Sequence, residues 1–195
     1  MRSWDLKPGY RLVELSDEDF FPRFRAARKE LFGDLLEADV LSVLSEEELA
    51  KRKALGQRLR ADRFFLQLGL FHGQDFVGWT CGQQLDRERF YMVNSAIYPE
   101  HRGQGLYSAM LQVLMELVRE AGFQVVFSRH QATNNAVLVP KLKAGFVLTG
   151  FELHDAHGVV VTLSWYTNPA RRKLLDFRAG RLRPDPELQA LLGLS

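Results

Sequence analysis

The spacing of apolar residues along the chain predicts a mixture of strands and helices. Seven short runs are rich in aromatic and β-branched residues and are bounded by polar or glycine-containing turns, which is typical of strands. Several of their connections are short enough for antiparallel hairpins. The predicted strands cover residues 10–15, 64–71, 76–84, 90–98, 123–128, 146–155 and 159–166.

Longer stretches carry their apolar residues on one helical face. The strongest of them begins at Leu106 and ends before Gly122, a residue type that favours the end of a helix. Ser45 and Glu48 form a capping box, which predicts the start of another helix that runs to about Arg60. The predicted helices cover residues 17–33, 45–60, 106–121, 134–144, 170–179 and 187–192.

This order of elements predicts the fold class. Strands come first, a helix crosses from one strand to the next, and a hairpin closes the series, so we expect one α+β domain with a mixed sheet. We place that domain at residues 1–167. Residues 168–195 are predicted to form a helical extension, and Leu174, Leu175 and Phe177 indicate that it packs on the domain or on a second subunit.

Composition narrows the choice of function. The chain has 195 residues, of which 46% are hydrophobic, so it contains enough apolar surface for a folded core. Its formal net charge of +2 gives no support for a nucleic-acid or membrane partner, although a basic segment near the C-terminus leaves nucleic-acid binding as a further alternative. The chain has a single cysteine and no evident signal peptide or membrane span, so we expect a cytoplasmic protein.

A glycine-rich junction between a predicted strand and the strongest predicted helix carries the main functional signal. Gly103 and Gly105 let the backbone approach a ligand closely, and the first N–H groups of the helix attract anions such as phosphate. Arg102 adds a charged donor. Two isolated glycines by themselves favour a plain tight turn, so the surrounding sequence has to decide. A dinucleotide fingerprint does not fit because Ser108 stands where it needs a third glycine, and the Gly-Lys-Ser/Thr of a Walker A loop is missing.

Two motifs in this order resemble those of the Gcn5-related N-acetyltransferases. Residues 102–107 read Arg-Gly-Gln-Gly-Leu-Tyr, which is similar to the acyl-CoA signature R/Q-x-x-G-x-G/A of that family, except that Tyr107 replaces the small final residue. Asn134 and the pair Gly145 and Phe146, which begins eleven residues further on, resemble a second family motif. The resemblance implies the family fold, a central and mostly antiparallel sheet with helices on both faces and one pair of splayed strands.

The resemblance also implies how coenzyme A binds. The pantetheine arm would enter between the splayed strands at 90–98 and 123–128, where backbone groups of the first strand hold it and polarise the thioester carbonyl. The N–H groups of the glycine-rich turn would bind the pyrophosphate. The residues assigned to coenzyme A binding in this way are Ala96, Ile97, Arg102, Gly103, Gln104, Gly105, Leu106, Tyr107, Ser108 and Asn134.

The activity implied by the resemblance is transfer of an acetyl group from acetyl-CoA to a primary amine of a small molecule or peptide. The amine would attack the thioester directly, without a protein nucleophile or a metal ion. Acetyl-CoA is thus the expected co-substrate and an amine the expected partner, and a homodimer is compatible with the sequence. The alternative is a domain that binds or senses acyl-CoA without catalysis.

Four residues are candidates for proton transfer. The family often has a tyrosine seven residues after the motif asparagine, and this chain has Lys141 there. The alternatives for Lys141 are a proton donor, a ligand of a coenzyme A phosphate and a solvated helix lysine. Tyr98, Tyr107 and His130 are expected near the mouth of the cleft. The ordinary pKa of histidine suits a base, although we place His130 in a polar loop just beyond a strand, where solvated histidines are common. Cys81 is more consistent with a core position than with a nucleophile.

Overall fold

Eight strands form a single sheet. The computed structural model describes residues 2–33, 41–60 and 62–193. The strands are β1 (Ser3–Lys7), β2 (Tyr10–Glu14), β3 (Phe65–His72), β4 (Asp75–Gln84), β5 (Arg89–Ile97), β6 (Val125–Gln131), β7 (Val147–His154) and β8 (Gly158–Tyr166). They lie side by side in the order β1, β2, β3, β4, β5, β6, β8, β7.

Neighbouring strands are antiparallel except for β5 and β6, which run parallel. The sheet is therefore mixed and mostly antiparallel, and the predicted fold class is confirmed. The sequence did not indicate β1, because a run of five residues with only two apolar side chains, Trp4 and Leu6, is a weak signal for a strand. None of the five residues is buried. Pairing with β2, in which Trp4 lies opposite Leu12, holds this strand at the edge of the sheet.

Helices cover both faces of the sheet. They are α1 (Asp17–Phe32), α2 (Glu46–Arg60), α3 (Leu106–Glu120), α4 (Asn135–Lys143), α5 (Pro169–Arg178) and α6 (Pro186–Leu192). On one face, Phe20 of α1 belongs to a buried cluster with Trp79 of β4. On the other face, Leu114 of α3 and Leu138 of α4 share the larger core cluster with Val126 of β6. Two of the site residues described below, Tyr107 and Lys141, lie on α3 and α4.

The helices that follow β8 contact the rest of the chain. Arg172 of α5 donates a hydrogen bond to the carbonyl oxygen of Gly145 at 2.7 Å, and Arg171 forms an ion pair with Glu88 at 3.0 Å. Lys173 binds Glu187 and so connects α5 to α6. In the part of the chain that the structure describes, no helix is both long and apolar enough to cross a membrane.

One strand boundary differs from the prediction in a way that matters for the site. β6 continues to Gln131 because it pairs with β8 along its whole length, with His130 opposite Val161. His130 therefore lies within a strand and is partly buried. Its predicted place in a polar loop beyond the strand is wrong.

The parallel strands β5 and β6 pair along only part of their length. Residues 89–91 of β5 lie opposite residues 125–127 of β6, and β5 then follows β4 alone while β6 follows β8 alone. A bulge at Val93, opposite Cys81 and Gly82 of β4, bends β5 close to the point of separation. The two strands consequently splay apart, which opens a gap in the middle of the sheet.

Gly82 lies beside this bulge, and the space for a side chain there is already filled. A Cβ atom at this position would overlap the ring of Phe90 and lie 2.6 Å from the carbonyl oxygen of Tyr91. We expect Gly82→Ala to lower the free energy of unfolding by about 1–3 kcal/mol, because the ring and the backbone must both move. Urea denaturation measures this change.

Gly56→Ala is the matched control. Gly56 lies in α2, and nothing lies within 4 Å of its Cβ position. Here the added methyl group should raise the free energy of unfolding by about 0.5–1 kcal/mol, because alanine loses less backbone entropy in a helix. Effects of the same sign and size at both glycines would contradict the crowding at the bulge.

Candidate active site

The gap between β5 and β6 continues into a cavity of about 320 Å³. Residues of β5, the end of β6, α3 and α4 line it. Of the residues singled out from the sequence, the structure brings Tyr107, His130, Asn134 and Lys141 to this one cavity. Side chains from three separate elements thus converge where the strands separate.

The glycine-rich turn stands at the N-terminal end of α3. Gly103 and Gly105 both have a φ of +75°, a left-handed conformation that glycine adopts without strain. Gly105 is the N-cap residue, so no side chain caps the first N–H groups of the helix, which belong to Leu106, Tyr107 and Ser108. The first turn of α3 contains no acidic residue. Uncapped N–H groups at the positive end of a helix dipole form an anion-binding surface.

Contacts from the N-terminal strands hold this turn in place. The Lys7 ammonium of β1 donates to the carbonyl oxygen of Gln104. The Tyr10 hydroxyl lies 2.9 Å from Nδ1 of His101 and accepts a hydrogen bond from the Gln104 side chain at 3.3 Å. The sequence carried no signal for Lys7, because the strand on which it lies was not predicted and is distant along the chain.

Arg102, Ala96 and Ile97 connect the turn to β5. Arg102 Nε donates to the carbonyl oxygen of Ile97 at 2.7 Å, which ties the start of the turn to the end of the strand. Ala96 and Ile97 pair with β4 along one edge of β5. The other edge of β5 has already parted from β6 at this point. Asn134, on the opposite wall, is the N-cap of α4, and its side chain makes no capping hydrogen bond.

Lys141 is buried, with 1% of its surface exposed, so its interpretation as a solvated helix lysine is wrong. Its Nζ atom donates to Ser128 Oγ at 2.6 Å and to Met92 Sδ at 3.2 Å, and it lies 4.9 Å from the centre of the Phe146 ring. Burial lowers the pKa of Lys141 to about 7, because the charged form loses its hydration. The amine can therefore hold or release a proton near neutral pH.

Ser128 joins Lys141 to His130. Its Oγ atom accepts from Lys141 and lies 2.9 Å from Nε2 of His130. Burial, together with the nearby charge of Lys141, lowers the pKa of His130 to about 3. His130 is thus neutral at physiological pH and is a poor base. The sequence did not indicate Ser128, which lies at the end of a predicted strand without a motif of its own.

The two candidate tyrosines have different surroundings. Tyr107 lines the cavity, and among the described residues its buried hydroxyl has no hydrogen-bond partner. Burial raises the pKa of Tyr107, so the phenol stays protonated. Tyr98 does not line the cavity, and its hydroxyl donates to Glu30 at 2.7 Å. Burial and the Glu30 carboxylate raise the pKa of Tyr98 to about 12.

Cys81 is buried on the α1 face of the sheet, next to Trp79. Burial raises the pKa of its thiol to about 12, so the thiolate is scarce at neutral pH. The structure thus agrees with a core position for this cysteine. No protein nucleophile of this type faces the cavity among the residues that line it.

Charged and aromatic side chains of β6, β7 and the following turn complete the lining of the cavity. Arg129 pairs with Glu152 at 2.8 Å, and the rings of His154 and His157 stack with their centres 4.6 Å apart. Within the described ranges, no group of three or more histidine, cysteine or acidic residues is placed to hold a metal ion. These two pairs were not identified as site residues from the sequence.

Two features of this site agree with the acyl-CoA-binding class of protein that the motifs indicated. They are the splayed strands β5 and β6 and the uncapped, glycine-rich start of α3. The chain belongs to the acetyltransferase (GNAT) family, whose sequence profile matches residues 12–146. Members of this family use acetyl-CoA. The predictions that the chain belongs to this family and that it is an acetyltransferase are confirmed.

Solved structures share the fold over most of the chain. A Salmonella typhimurium acetyltransferase that modifies the N-terminal serine of ribosomal protein L7/L12 has a TM-score of 0.61 and 17% identity, over 86% of this chain and 100% of its own. The Vibrio fischeri ribosomal-protein-S5-alanine acetyltransferase has a TM-score of 0.64 and 11% identity, over 86% and 98%. A ribosomal L7/L12 α-N-protein acetyltransferase in complex with coenzyme A has a TM-score of 0.60 and 18% identity, over 85% and 98%. No curated protein sequence matches significantly.

The burial of Lys141 makes the stability of the protein depend on pH. Its pKa is about 7 in the folded protein against 10.5 for an ordinary lysine. Between these values the unfolded chain binds more protons, so the contribution of Lys141 to the free energy of unfolding rises with pH. The free energy of unfolding of the wild type minus that of Lys141→Met should therefore rise from about pH 7 to about pH 10, by up to about 1.4 kcal/mol per pH unit.

Urea denaturation at several pH values in this range measures that difference. Lys143→Met, an exposed position on the same helix, is the control and should run parallel to the wild type. A difference between wild type and Lys141→Met that stays constant over the whole range would show that Lys141 is not held in a pKa-lowering environment.

Proposed function

We propose that this protein transfers an acetyl group from acetyl-CoA to a primary amine of a small molecule or peptide, and that the amine attacks the thioester directly. One observation carries the proposal. Tyr107 in the first turn of α3 and Lys141 of α4 line the same cavity, at the place where β5 and β6 separate. The start of α3, which can bind an anion, and Lys141, which can transfer a proton near pH 7, thus lie at the same cleft.

The residues present fit coenzyme A. The turn offers uncapped N–H groups and no acidic side chain that would repel phosphate. Nothing lies within 4 Å of a Cβ position on Gly103, so the backbone there is open to close approach. We assign the pyrophosphate to the N–H groups of residues 103–108, and the pantetheine arm to the free edge of β5 around Ala96 and Ile97. Asn134 would bind the arm from the opposite wall.

Bound acetyl-CoA supplies an activated thioester. Backbone N–H groups of β5 orient the thioester and stabilise the negative charge that develops on its oxygen. The amine forms the new C–N bond as the C–S bond breaks. Lys141 in its protonated form donates a proton to the departing sulfur. The amine loses one proton as the amide forms, so the reaction consumes no net proton. Ser128 fixes the direction of the Lys141 amine.

Lys141 suits this role better than the other candidates. Its pKa of about 7 matches the pH at which a general acid is most useful. His130 is a poor proton carrier, because its pKa is near 3. Tyr98 lies outside the cavity and is engaged by Glu30. We therefore assign His130 to the support of Ser128, and we do not use Tyr98 in the mechanism.

The acceptor is less closely defined than the acyl donor. We place the amine on the side of the cavity lined by Phe32 of α1 and by Glu152 and His154 of β7. The three structural neighbours described above are all named for action on ribosomal proteins, which supports a peptide amine as one acceptor class. We further propose a cytoplasmic location, and we treat the residues beyond 167 as an extension to the catalytic domain, held by contacts such as Arg172 to Gly145.

Ser108→Glu tests the phosphate site without straining the backbone. Ser108 is exposed in the first turn of α3, where a carboxylate interacts favourably with the helix dipole, so the free protein should keep or slightly gain stability. The same carboxylate would repel the pyrophosphate, and we expect the Kd for coenzyme A to rise at least about tenfold. Calorimetric titration measures the Kd.

Gln112→Glu is the control for this substitution. It makes the same change of charge at an exposed position one turn further along α3, and the Kd should change by less than about threefold. If Ser108→Glu and the wild type bind coenzyme A with equal affinity, the assignment of the pyrophosphate to the start of α3 is wrong.

Lys141→Met tests the proton donor. We expect kcat to fall by about 10²–10⁴ while the Kd for acetyl-CoA stays within about threefold, because only the proton transfer is lost. In the wild type, kcat should decline as the pH rises through about 7, since the protonated form of Lys141 is the one required, and this decline should be absent in the variant. Thiol release from acetyl-CoA with a panel of amines gives kcat and its pH dependence, and calorimetric titration gives the Kd.

Lys143→Met should keep the wild-type rate and pH profile. An unchanged kcat in Lys141→Met would exclude Lys141 as the donor. Tight binding of acetyl-CoA by the wild type, with no amine-dependent thiol release for any acceptor, would favour the alternative of a non-catalytic acyl-CoA-binding domain.

A further inference from the structure

One edge of the sheet is both unpaired and apolar. β7 is the last strand in the sheet order, so among the described residues only its β8 side has a neighbouring strand. Phe151 and Leu153 of β7 expose 78% and 84% of their surfaces. An exposed, apolar edge strand favours pairing with a strand of another chain, because its free N–H and C=O groups have no partner of their own.

A bulge places the apolar side chains of β7 on one face of the sheet. Leu148 lies opposite Leu163 of β8, and Phe151 lies opposite Val161. Leu163 and Val161 are two residues apart, so they point to the same face, and their partners share that face with them. Leu148 and Phe151 are three residues apart and can do so only because Thr149 is an extra residue in the strand.

These residues form a surface that we call the β7 patch, which consists of Leu148, Phe151, Leu153 and the neighbouring Val159 of β8. Their exposed fractions lie between 50% and 84% and correspond to roughly 500 Å² of apolar surface, more than half of the about 800 Å² that each partner buries in a specific interface. The charged residue of β7, Glu152, alternates with Phe151 and Leu153 and therefore points to the opposite face. The patch thus has the area of an interface and carries no charge.

The strand at the other edge of the sheet has a different surface. The exposed residues of β1 are Ser3, Asp5 and Lys7. Charged side chains on an edge strand discourage pairing with a further strand, which is how folded proteins avoid unwanted association. β1 has this protection, whereas the patch face of β7 does not. The contrast indicates that β7 is covered by a further strand in solution.

We propose that two copies of this chain associate through β7, which pairs antiparallel with β7 of the second copy and continues the sheet across a twofold axis. The regular part of the strand after the bulge is 150–154, and Glu152 is at its middle. Pairing about that residue places Phe151 of each copy opposite Leu153 of the other, on one shared face. A second copy is favoured because the same patch serves both partners of a twofold interface. The inference does not depend on the proposed function.

The ion pair between Glu152 and Arg129 makes this pairing compatible with charge. Antiparallel pairing about Glu152 brings the two copies of this carboxylate together on the other face of the sheet. Like charges directly opposite each other on neighbouring strands are destabilising. Each Glu152 is, however, paired with Arg129 of its own chain at 2.8 Å, which neutralises it. The two faces of β7 therefore both allow a second copy at this edge.

Phe151→Glu and Leu153→Lys test the interface. Wild-type protein at micromolar concentration should have twice the 22.4 kDa mass of the chain. Each variant alone should be a monomer, with a dimer Kd at least about a hundredfold higher, because a charge would be buried without a partner. Both positions are exposed, so the far-ultraviolet circular dichroism spectrum should not change. Sedimentation equilibrium measures the masses and the Kd.

An equimolar mixture of the two variants tests the direction of pairing. In an antiparallel pair about Glu152, the introduced carboxylate at 151 lies opposite the introduced ammonium at 153 of the other chain, so a mixed dimer should form. Damage to the fold of either variant does not predict this recovery. A mixture that stays monomeric would overturn the antiparallel pairing of β7.

Leu55→Glu is the matched control. Leu55 lies on α2, is 58% exposed and is remote from β7 in the sequence, so this variant should remain a dimer. A wild-type protein that is monomeric at micromolar concentration would overturn the inference and leave the patch to a different partner, such as a protein acceptor. A dimer that persists in Phe151→Glu and Leu153→Lys would overturn it as well, because it would assign the contact between copies to another surface.

Discussion

Strands β5 and β6 share only the pairs from Arg89–Val125 to Tyr91–Phe127 before each continues beside a different neighbour. This early separation is the constraint on which the site depends. A bulge bends β5, while β6 stays paired with β8 along its whole length. Backbone groups that would otherwise pair across the sheet face a cleft instead, and a cleft of this kind binds an extended ligand by main-chain hydrogen bonds.

The two ends of the cleft have opposite effects on charged groups. At the start of α3, the N–H groups are uncapped and the first turn contains no acidic residue, so an anion is favoured there. At Lys141, burial removes the amine from water, and the loss of hydration disfavours its charge. The first arrangement suits the binding of phosphate. The second suits a proton that must leave easily, and both depend on the position of α3 and α4 on one face of the sheet.

Local patterns explain why the order of elements could be predicted from the sequence. The apolar spacing of α3 and the glycines before it define that helix and its turn, and the structure begins α3 at Leu106 as predicted. The environments of individual side chains depend on contacts between distant segments, and these have no local pattern. Lys7 reaches the turn from a strand that was not predicted. The burial of Lys141 and the pairing that places His130 within β6 are likewise consequences of the assembled sheet.

The most direct measurement of the central claim is a structure of the protein in complex with coenzyme A. The account predicts that the pantetheine arm lies between β5 and β6, with backbone hydrogen bonds near Ala96 and Ile97, and that the pyrophosphate lies on the turn at residues 103–108. Coenzyme A bound elsewhere on the protein, or a complex in which β5 and β6 pair along their whole length, would contradict it.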